Sequence, residues 1–212
     1  MALEALKRNG HNLQLGGYET DGPYGIPRLA PATLDGTLSF IPFNCAKTDS
    51  MRARHGVHFF IDDYLFERVW KDPARYAQML MDFRAVMTPD FSLFTDYPVA
   101  VQLYNHWRKH LLGAYWQRMG MTVIPSICWS DESSFDWCFD GEPAGGTVAV
   151  SSVGTQKNPN ARQLFQLGYS EMLRRLKPEK ILFFGDMPEN CKGNLEHHPA
   201  YYAALAHARK KR

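Results

Sequence analysis

The feature that most constrains this chain is an alternation: short apolar runs bounded by polar or turn residues are each followed by a segment of helical spacing. The runs are residues 38–43 (Leu-Ser-Phe-Ile-Pro-Phe), 57–61 (Val-His-Phe-Phe-Ile), 84–87, 122–128, 146–150 and 180–184. Residues 64–83 carry helical spacing twice, broken at Asp72-Pro73, where Asp can cap and Pro suits a first turn. The strongest helix pattern lies between Asp96 and Gly120, with Val101, Tyr104, Trp107, Leu111 and Tyr115 at three- and four-residue steps. Asn158-Pro159 opens a further helix whose Phe165, Tyr169, Met172 and Leu176 share one face. Strand then helix, repeated over short connections, predicts right-handed β-α-β units and a mostly parallel sheet. The expected fold is therefore α/β, a partial or distorted β/α barrel, with a doubly wound open sheet as the alternative. Pro125 argues against a fully laddered central strand, because proline cannot donate to its neighbour.

These elements fit one domain over residues 1–212: an irregular wrapping segment (1–36), a core (37–190), and a C-terminal helix with a basic tail (191–212). The lead-in is dense in Gly, Pro, Asp and Thr yet holds Tyr, Leu and Ile, so it is expected to lie on the domain. With apolar residues at 45%, the chain can bury a core large enough to offset the entropy of ordering. The net charge of +2 supplies no global field for a polyanion, and the run Arg209 to Arg212 reads as a solvated tail. Cys45, Cys128, Cys138 and Cys191 lack Cys-x-x-Cys spacing and read as reduced thiols in a cytoplasmic setting. No stretch has the apolar length of a membrane span or a secretory signal, so no membrane partner is expected.

In a parallel α/β sheet, chemistry collects where the strands end, because the loops leaving that edge converge and helix N-termini point there. The residues just past the proposed strands are Asn44; Asp62 and Asp63; Thr88 and Asp90; Trp129, Ser130, Asp131 and Glu132; Ser151, Ser152 and Thr155; and Asp186. Asp63, Asp96 and Ser130 are expected to cap helices. Asp90 lies too far before the long helix to be needed as a cap, which marks it for another task. Were Asp62, Asp90 and Asp186 to converge, they would suit Mg²⁺ or Mn²⁺ or hold a proton for general acid-base work, with Glu132 as a fourth carboxylate. Trp129 is placed at a pocket mouth, to stack on a base or sugar. The segment Ser151-Ser-Val-Gly-Thr-Gln-Lys-Asn-Pro159 has the composition of a phosphate-holding turn without the spacing of a P-loop. Asn44 completes the set of ligand-binding candidates. His106 and His110 stand one helical turn apart, a metal-ligand spacing, but no third ligand is evident and a solvated helix flank is the expectation. His58 reads as a satisfied structural histidine.

Several segments in order, His58-Phe-Phe-Ile-Asp-Asp63, Thr88-Pro-Asp-Phe-Ser-Leu93, Gly113-Ala-Tyr-Trp-Gln117, Val123-Ile-Pro125 with Trp129-Ser130, Phe139-Asp-Gly141 and Val148-Ala-Val-Ser151, make the chain resemble domain-of-unknown-function family 4417. That family occurs in phages, plasmids and bacterial genomes. The resemblance implies a phage or mobile-element origin and a host cytoplasmic setting, and it carries no activity or cofactor of its own. Two functions stay open. One is an enzyme, such as a hydrolase, acting on a nucleotide or nucleic-acid phosphate through the carboxylates. The other is a non-catalytic protein that sequesters a nucleotide or inhibits a host protein.

Overall fold

A computed structural model of the protein describes residues 10–201. A short antiparallel hairpin, β1 (Thr20–Asp21) and β2 (Ile26–Pro27), precedes seven parallel strands. β3 (Ser39–Pro42), β4 (His55–His58), β5 (Ala85–Met87) and β6 (Val123–Ile124) pair in that order, and so do β7 (Thr147–Ser151), β8 (Lys180–Phe184) and β9 (Leu195–His198). The two sheets meet at a single parallel bridge between Ser126 and Ala149. Pro125 sits at that junction and, having no N–H, contributes only its carbonyl, to the Ala149 amide at 2.8 Å. Spatial order thus follows chain order, strand by strand. The ring of strands stays open among the described residues, although the Phe40 and His198 rings approach to 5.4 Å across the gap between β3 and β9.

Among the described residues, five α-helices accompany the strands: α1 (Phe43–Ala46), α2 (Arg68–Lys71), α3 (Pro73–Leu80), α4 (Val99–Arg118) and α5 (Pro159–Leu176). Side-chain alternation along the strands sorts two cores. Ala149, Leu182 and Phe184 of the second sheet share one cluster with Val57, Val86 and Ile124 of the first. Val148, Val150, Ile181 and Phe183 point the other way, against Phe165, Tyr169, Met172 and Leu176 of α5, the face that periodicity predicts. Asp72 and Asn158 cap α3 and α5 through the Arg75 and Ala161 amides. The wrapping segment is tied down at several points: Gln117 exchanges two hydrogen bonds with the Ala30 backbone, at 2.9 and 2.8 Å, and the Thr147 amide donates to the Ala32 carbonyl.

Three expectations fail. Asp63, Asp96 and Ser130 are not caps: the carboxylate of Asp63 accepts from Ser92, α4 begins at Val99, after Pro98 and with no side-chain cap, and Ser130 Oγ donates to Gln102 while Asp131 caps the turn after β6. Leu195–His198 form a ninth strand where a tail was expected; their polar composition, Leu-Glu-His-His, hides it from an apolar-run search. The predicted C-terminal helix from Pro199 and the basic run fall mostly outside the described residues.

The third failure concerns α4. Val99 and Val101 are exposed, whereas Gln102, Asn105, His106, Arg108, Lys109 and His110 are buried, so the flank predicted to be solvated is sealed. The reason is what covers it. The hairpin and the segment after residue 137 present carbonyls and one carboxylate to this face: His106 Nε2 lies 3.0 Å from the Asp140 carbonyl, and His110 Nδ1 2.9 Å from that of Pro27. Lys109 Nζ donates to Glu142 Oε1 at 2.6 Å and to the Ser126 carbonyl at 3.0 Å. Gly141, at φ +74°, lets the covering chain come this close, since a Cβ there would meet the Pro27 carbonyl oxygen at 2.6 Å and His110 Nδ1 at 2.8 Å. Arg108 lies over the Phe91 ring and pairs with Glu67. The last turns bury Leu111, Leu112, Ala114 and Trp116 outright, while Tyr104 and Trp107 are only partly buried against the same core.

Candidate functional site

A cavity of about 470 Å³ opens where β4 to β7 end. Its wall is built from the segments just past those strands and from the start of α5, which is the edge that the sequence singles out. β4 delivers Phe60, Ile61 and Asp62; β5 delivers Asp90 and Ser92; β6 delivers Cys128, Trp129 and Ser130; β7 delivers Ser151, Gly154, Thr155 and Lys157.

Asp90 is carried by a loop that is fixed from three sides. Thr88, just past β5, accepts the Ser126 amide at its Oγ1 and the Ser126 hydroxyl at its carbonyl, both at 2.8 Å. Two residues beyond Asp90, Ser92 donates its amide and hydroxyl to Asp63, and its carbonyl accepts from Asn105 of α4 at 2.7 Å. Burial, reinforced by the negative charge of Asp63, pushes the Asp90 carboxyl up to about 7, while Lys109 and the Cys128 thiol pull the other way. Asp90 is thus a carboxyl able both to give and to take a proton at neutral pH.

Trp129 is equally fixed. Its indole N–H donates to the Leu164 carbonyl at 3.2 Å, its ring leans on Phe165, and it lies so close to α5 that a Cβ on Gly168 would come within 2.2 Å of it. The glycine is there for that approach. With Phe60 and Phe94 also in the wall, the cavity has the aromatic lining that a planar ring would stack on.

The loop after β7 separates this cavity from a smaller one of about 330 Å³. Val153, Gly154 and Lys157 line both, whereas Ser152 and Asp186 line only the smaller. Its hydroxyls are engaged within the fold: Ser152 donates to the Asp186 carbonyl at 2.6 Å, Thr155 to the Ser152 carbonyl at 2.8 Å, and Ser151 accepts the Val153 amide. The exposed ammonium of Lys157 is the cationic group at this rim.

The predicted candidates therefore divide. Asp62, Asp90, Trp129, Ser151 and Thr155 share the main cavity, and Ser152 and Asp186 face the adjoining one. Glu132 is exposed on the turn that Asp131 caps and lines neither, and Asn44 donates to the Tyr201 hydroxyl on α1. Asp62, Asp90 and Asp186 do not converge. Among the described residues, the His, Cys, Asp and Glu donor atoms that come within 4.8 Å of one another in threes are those of His106, His110 and Glu142. Sequence reading did not single out Ser92 or the lysine behind the cavity, Lys109; Lys157 belongs to the Ser, Gly, Thr and Lys loop expected to hold phosphate, and Lys109 was hidden by the expectation that the flank of α4 bearing His106 and His110 is solvated. His58 is the satisfied histidine expected: buried beside Phe60 and Phe184, it accepts the Phe60 amide at Nδ1, and burial lowers its pKa to about 3.

Among the described residues no helix is long and apolar enough to cross a membrane. No solved structure matches the chain. It is 39% identical over 177 residues to the Gene 1 protein of Mycobacterium phage L5, an alignment covering 80% of this chain and 75% of that protein. With the Gene 1 protein of Mycobacterium phage D29 it shares 39% over 175 residues, 79% of this chain and 63% of that protein. The sequence pattern described as domain of unknown function (DUF4417) matches residues 18–201, which takes in the hairpin, all seven parallel strands and the cavity, and the chain belongs to that family.

Proposed function

We propose that the protein is an enzyme that transfers a proton at a nucleotide or nucleic-acid phosphate bound in the cavity at the strand ends, with Asp90 as the general acid-base. The observation that carries this reading is the Asp90 carboxyl itself, on a triply anchored loop in a cavity wall, with a pKa raised to about 7 by burial and by Asp63. A carboxyl held near operating pH in a cavity wall is the kind of group that general acid-base chemistry uses. Trp129 and its aromatic neighbours supply a face for a base, and Lys157 a cation for a phosphate. Asp62 at the same wall is the second carboxylate, placed for a hard cation such as Mg²⁺ or Mn²⁺ carried in by the phosphate itself.

The test is turnover of a nucleoside mono-, di- and triphosphate panel and of short oligonucleotides, with Mg²⁺ or Mn²⁺ present. Activity should have a pH limb near 7 that Asp90→Asn abolishes along with turnover. An Asp90→Asn protein that turns over substrate at the wild-type rate ends the assignment. One observation favours a binding protein in the same cavity: Asp62, Asp90 and Asp186 do not form a shared metal site. Under that reading the panel yields saturable binding, lost with Trp129→Ala, and no product.

A further inference from the structure

The polar face of α4 sealed under the hairpin carries an unsettled hydrogen-bond account. His106 is 1% exposed, and with Nε2 directed at the Asp140 carbonyl its Nδ1 has no partner. Glu142, whose side chain is 0% exposed, gives Oε1 to Lys109 and His110, and its Oε2 has no partner. His110 has the opposite difficulty: both ring nitrogens face oxygen acceptors, Pro27 at 2.9 Å and Glu142 at 3.1 Å, and a neutral imidazole has one N–H to give. Two orphaned lone pairs and one excess lone pair thus lie together in a sealed volume, with one donor atom from each of His106, His110 and Glu142 within 4.8 Å of the others. An imidazolium at His110 would answer its own excess and leave the two orphans unpartnered. A cation among the three answers all of them.

We propose that His106, His110 and Glu142 form a binding site for a transition-metal ion of the Zn²⁺ class that staples helix α4 to the 137–142 segment, with the hairpin holding the His110 ring from behind. The second ring nitrogen of each histidine faces a backbone carbonyl, the arrangement that fixes tautomer and ring orientation in ligating histidines, and Lys109 hydrogen-bonds the carboxylate in the same supporting way. Two imidazoles and one carboxylate select Zn²⁺ or Co²⁺ over Mg²⁺ or Ca²⁺, which take oxygen ligands. The spacing His106-x-x-x-His110 is the one legible sign in the sequence; the third ligand arrives from 32 residues away in the chain.

The experiment uses the full chain, free of a histidine tag. Metal content is measured after expression in zinc-supplemented medium, and the chelator-stripped protein is then titrated with Co²⁺. Expected are about one Zn²⁺ per chain and, with Co²⁺, the visible d–d absorption of a low-coordinate N/O site. His106→Ala should weaken Co²⁺ by more than the roughly 10–100-fold that loss of an outer partner costs. Arg174→Gln, at an exposed position on α5, should bind as wild type. A wild-type protein that retains no zinc and shows no visible band with Co²⁺ overturns the proposal in favour of a protonated His110, and that readout stands even if His106→Ala does not fold.

Discussion

Two carboxylates share the field of one buried lysine and end in opposite states. Glu142 is sealed beneath α4, in contact with the Lys109 ammonium at 2.6 Å, and although burial favours its neutral form, Lys109 and His110 prevail and its pKa falls. Asp90, in the wall of an open cavity, is the less enclosed of the two, yet its pKa is raised to about 7. Lys109 only influences Asp90 from a distance, and Asp63 works against it. The nearness of the Lys109 charge, seconded by His110 and their hydrogen bonds, and not depth, decides which carboxylate ionises. The same lysine therefore meets Glu142 in a closed contact and reaches Asp90 only through its field: the pKa of Glu142 is held down, and that of Asp90 stays raised.

The largest effect should come from removing the shared group. Lys109→Met leaves Glu142 buried with only His110 beside it, and breaking one side of a buried pair costs about 3–5 kcal/mol. For a chain of this size that is a fall in melting temperature of roughly 10 °C, read by calorimetry. The variant should also move the limb of any Asp90-dependent pH profile upward, since Lys109 is one of the groups that lower the Asp90 pKa. A loss below about 1 kcal/mol, within the range of an exposed pair, would mean that the network is solvated and the contrast false.

Asp90→Asn probes the other arm, and the sign of its stability effect is distinctive. The folded pKa, about 7, lies above the ordinary 3.8, so the carboxyl favours the folded state below pH 4 and that contribution is lost as pH rises through 7. The amide carries no such penalty. At pH 8 the variant should melt a few degrees above wild type while losing turnover; near pH 4 the gain should vanish. Histidines 58, 106 and 110 run the opposite way, because burial lowers their pKa values, and their contribution is lost as pH falls below 6.5. Thermal melts of wild type and variant across that range separate the two. An Asp90→Asn protein less stable than wild type at pH 8 contradicts a raised pKa at this site.

The parts of this molecule that were legible in the sequence are those whose partners are regular. The strands at residues 180–184 and 146–150 and the α5 face bearing Phe165, Tyr169, Met172 and Leu176 pack against elements with their own period, so an apolar pattern implies its counterpart. The strand-end rule likewise placed Asp62, Asp90, Trp129, Ser151 and Thr155 on one wall. Helix α4 was legible in extent and in the stripe of Tyr104, Trp107, Leu111 and Tyr115 that packs on the core, but not in its second buried face. Its polar face is covered by a hairpin and a glycine turn that no periodicity predicts, and whether Lys109 faces water or Glu142 depends on that covering. β9 was missed for the related reason that its Glu196 and His198 pair with each other and its Phe184 neighbour stacks on His198, so the strand needs no apolar run.

Gly168→Ala tests whether the cavity's aromatic wall is as fixed as Asp90's loop. The new Cβ would meet the Trp129 indole at 2.2 Å, and the ring, held by its bond to Leu164 and by Phe165, has to move or push α5 outward. Overpacking of this kind costs about 1–3 kcal/mol. The sharper readout is ligand affinity, which should fall for ligands with a base and hold for inorganic phosphate. Equal loss for both would place the phosphate, not the base, against Trp129.

The smallest structural effect and the cleanest functional one belong to Lys157→Gln. The side chain is exposed at the rim and no ion pair holds it among the described residues, so stability should change by less than about 0.5 kcal/mol. If Lys157 meets the phosphate, nucleotide affinity should drop at low salt and the difference from wild type should shrink as ionic strength rises, because an exposed charge is screened over about 10 Å at 0.1 M. A salt-independent loss would point instead to a rearranged loop between the two cavities. An unchanged affinity would shift phosphate recognition away from the segment after β7 and toward a cation accompanying the ligand at Asp62. Because the variant leaves Lys109, Asp63 and Cys128 in place, the Asp90 pH limb should stay where it is, which separates binding at the rim from proton transfer at the wall.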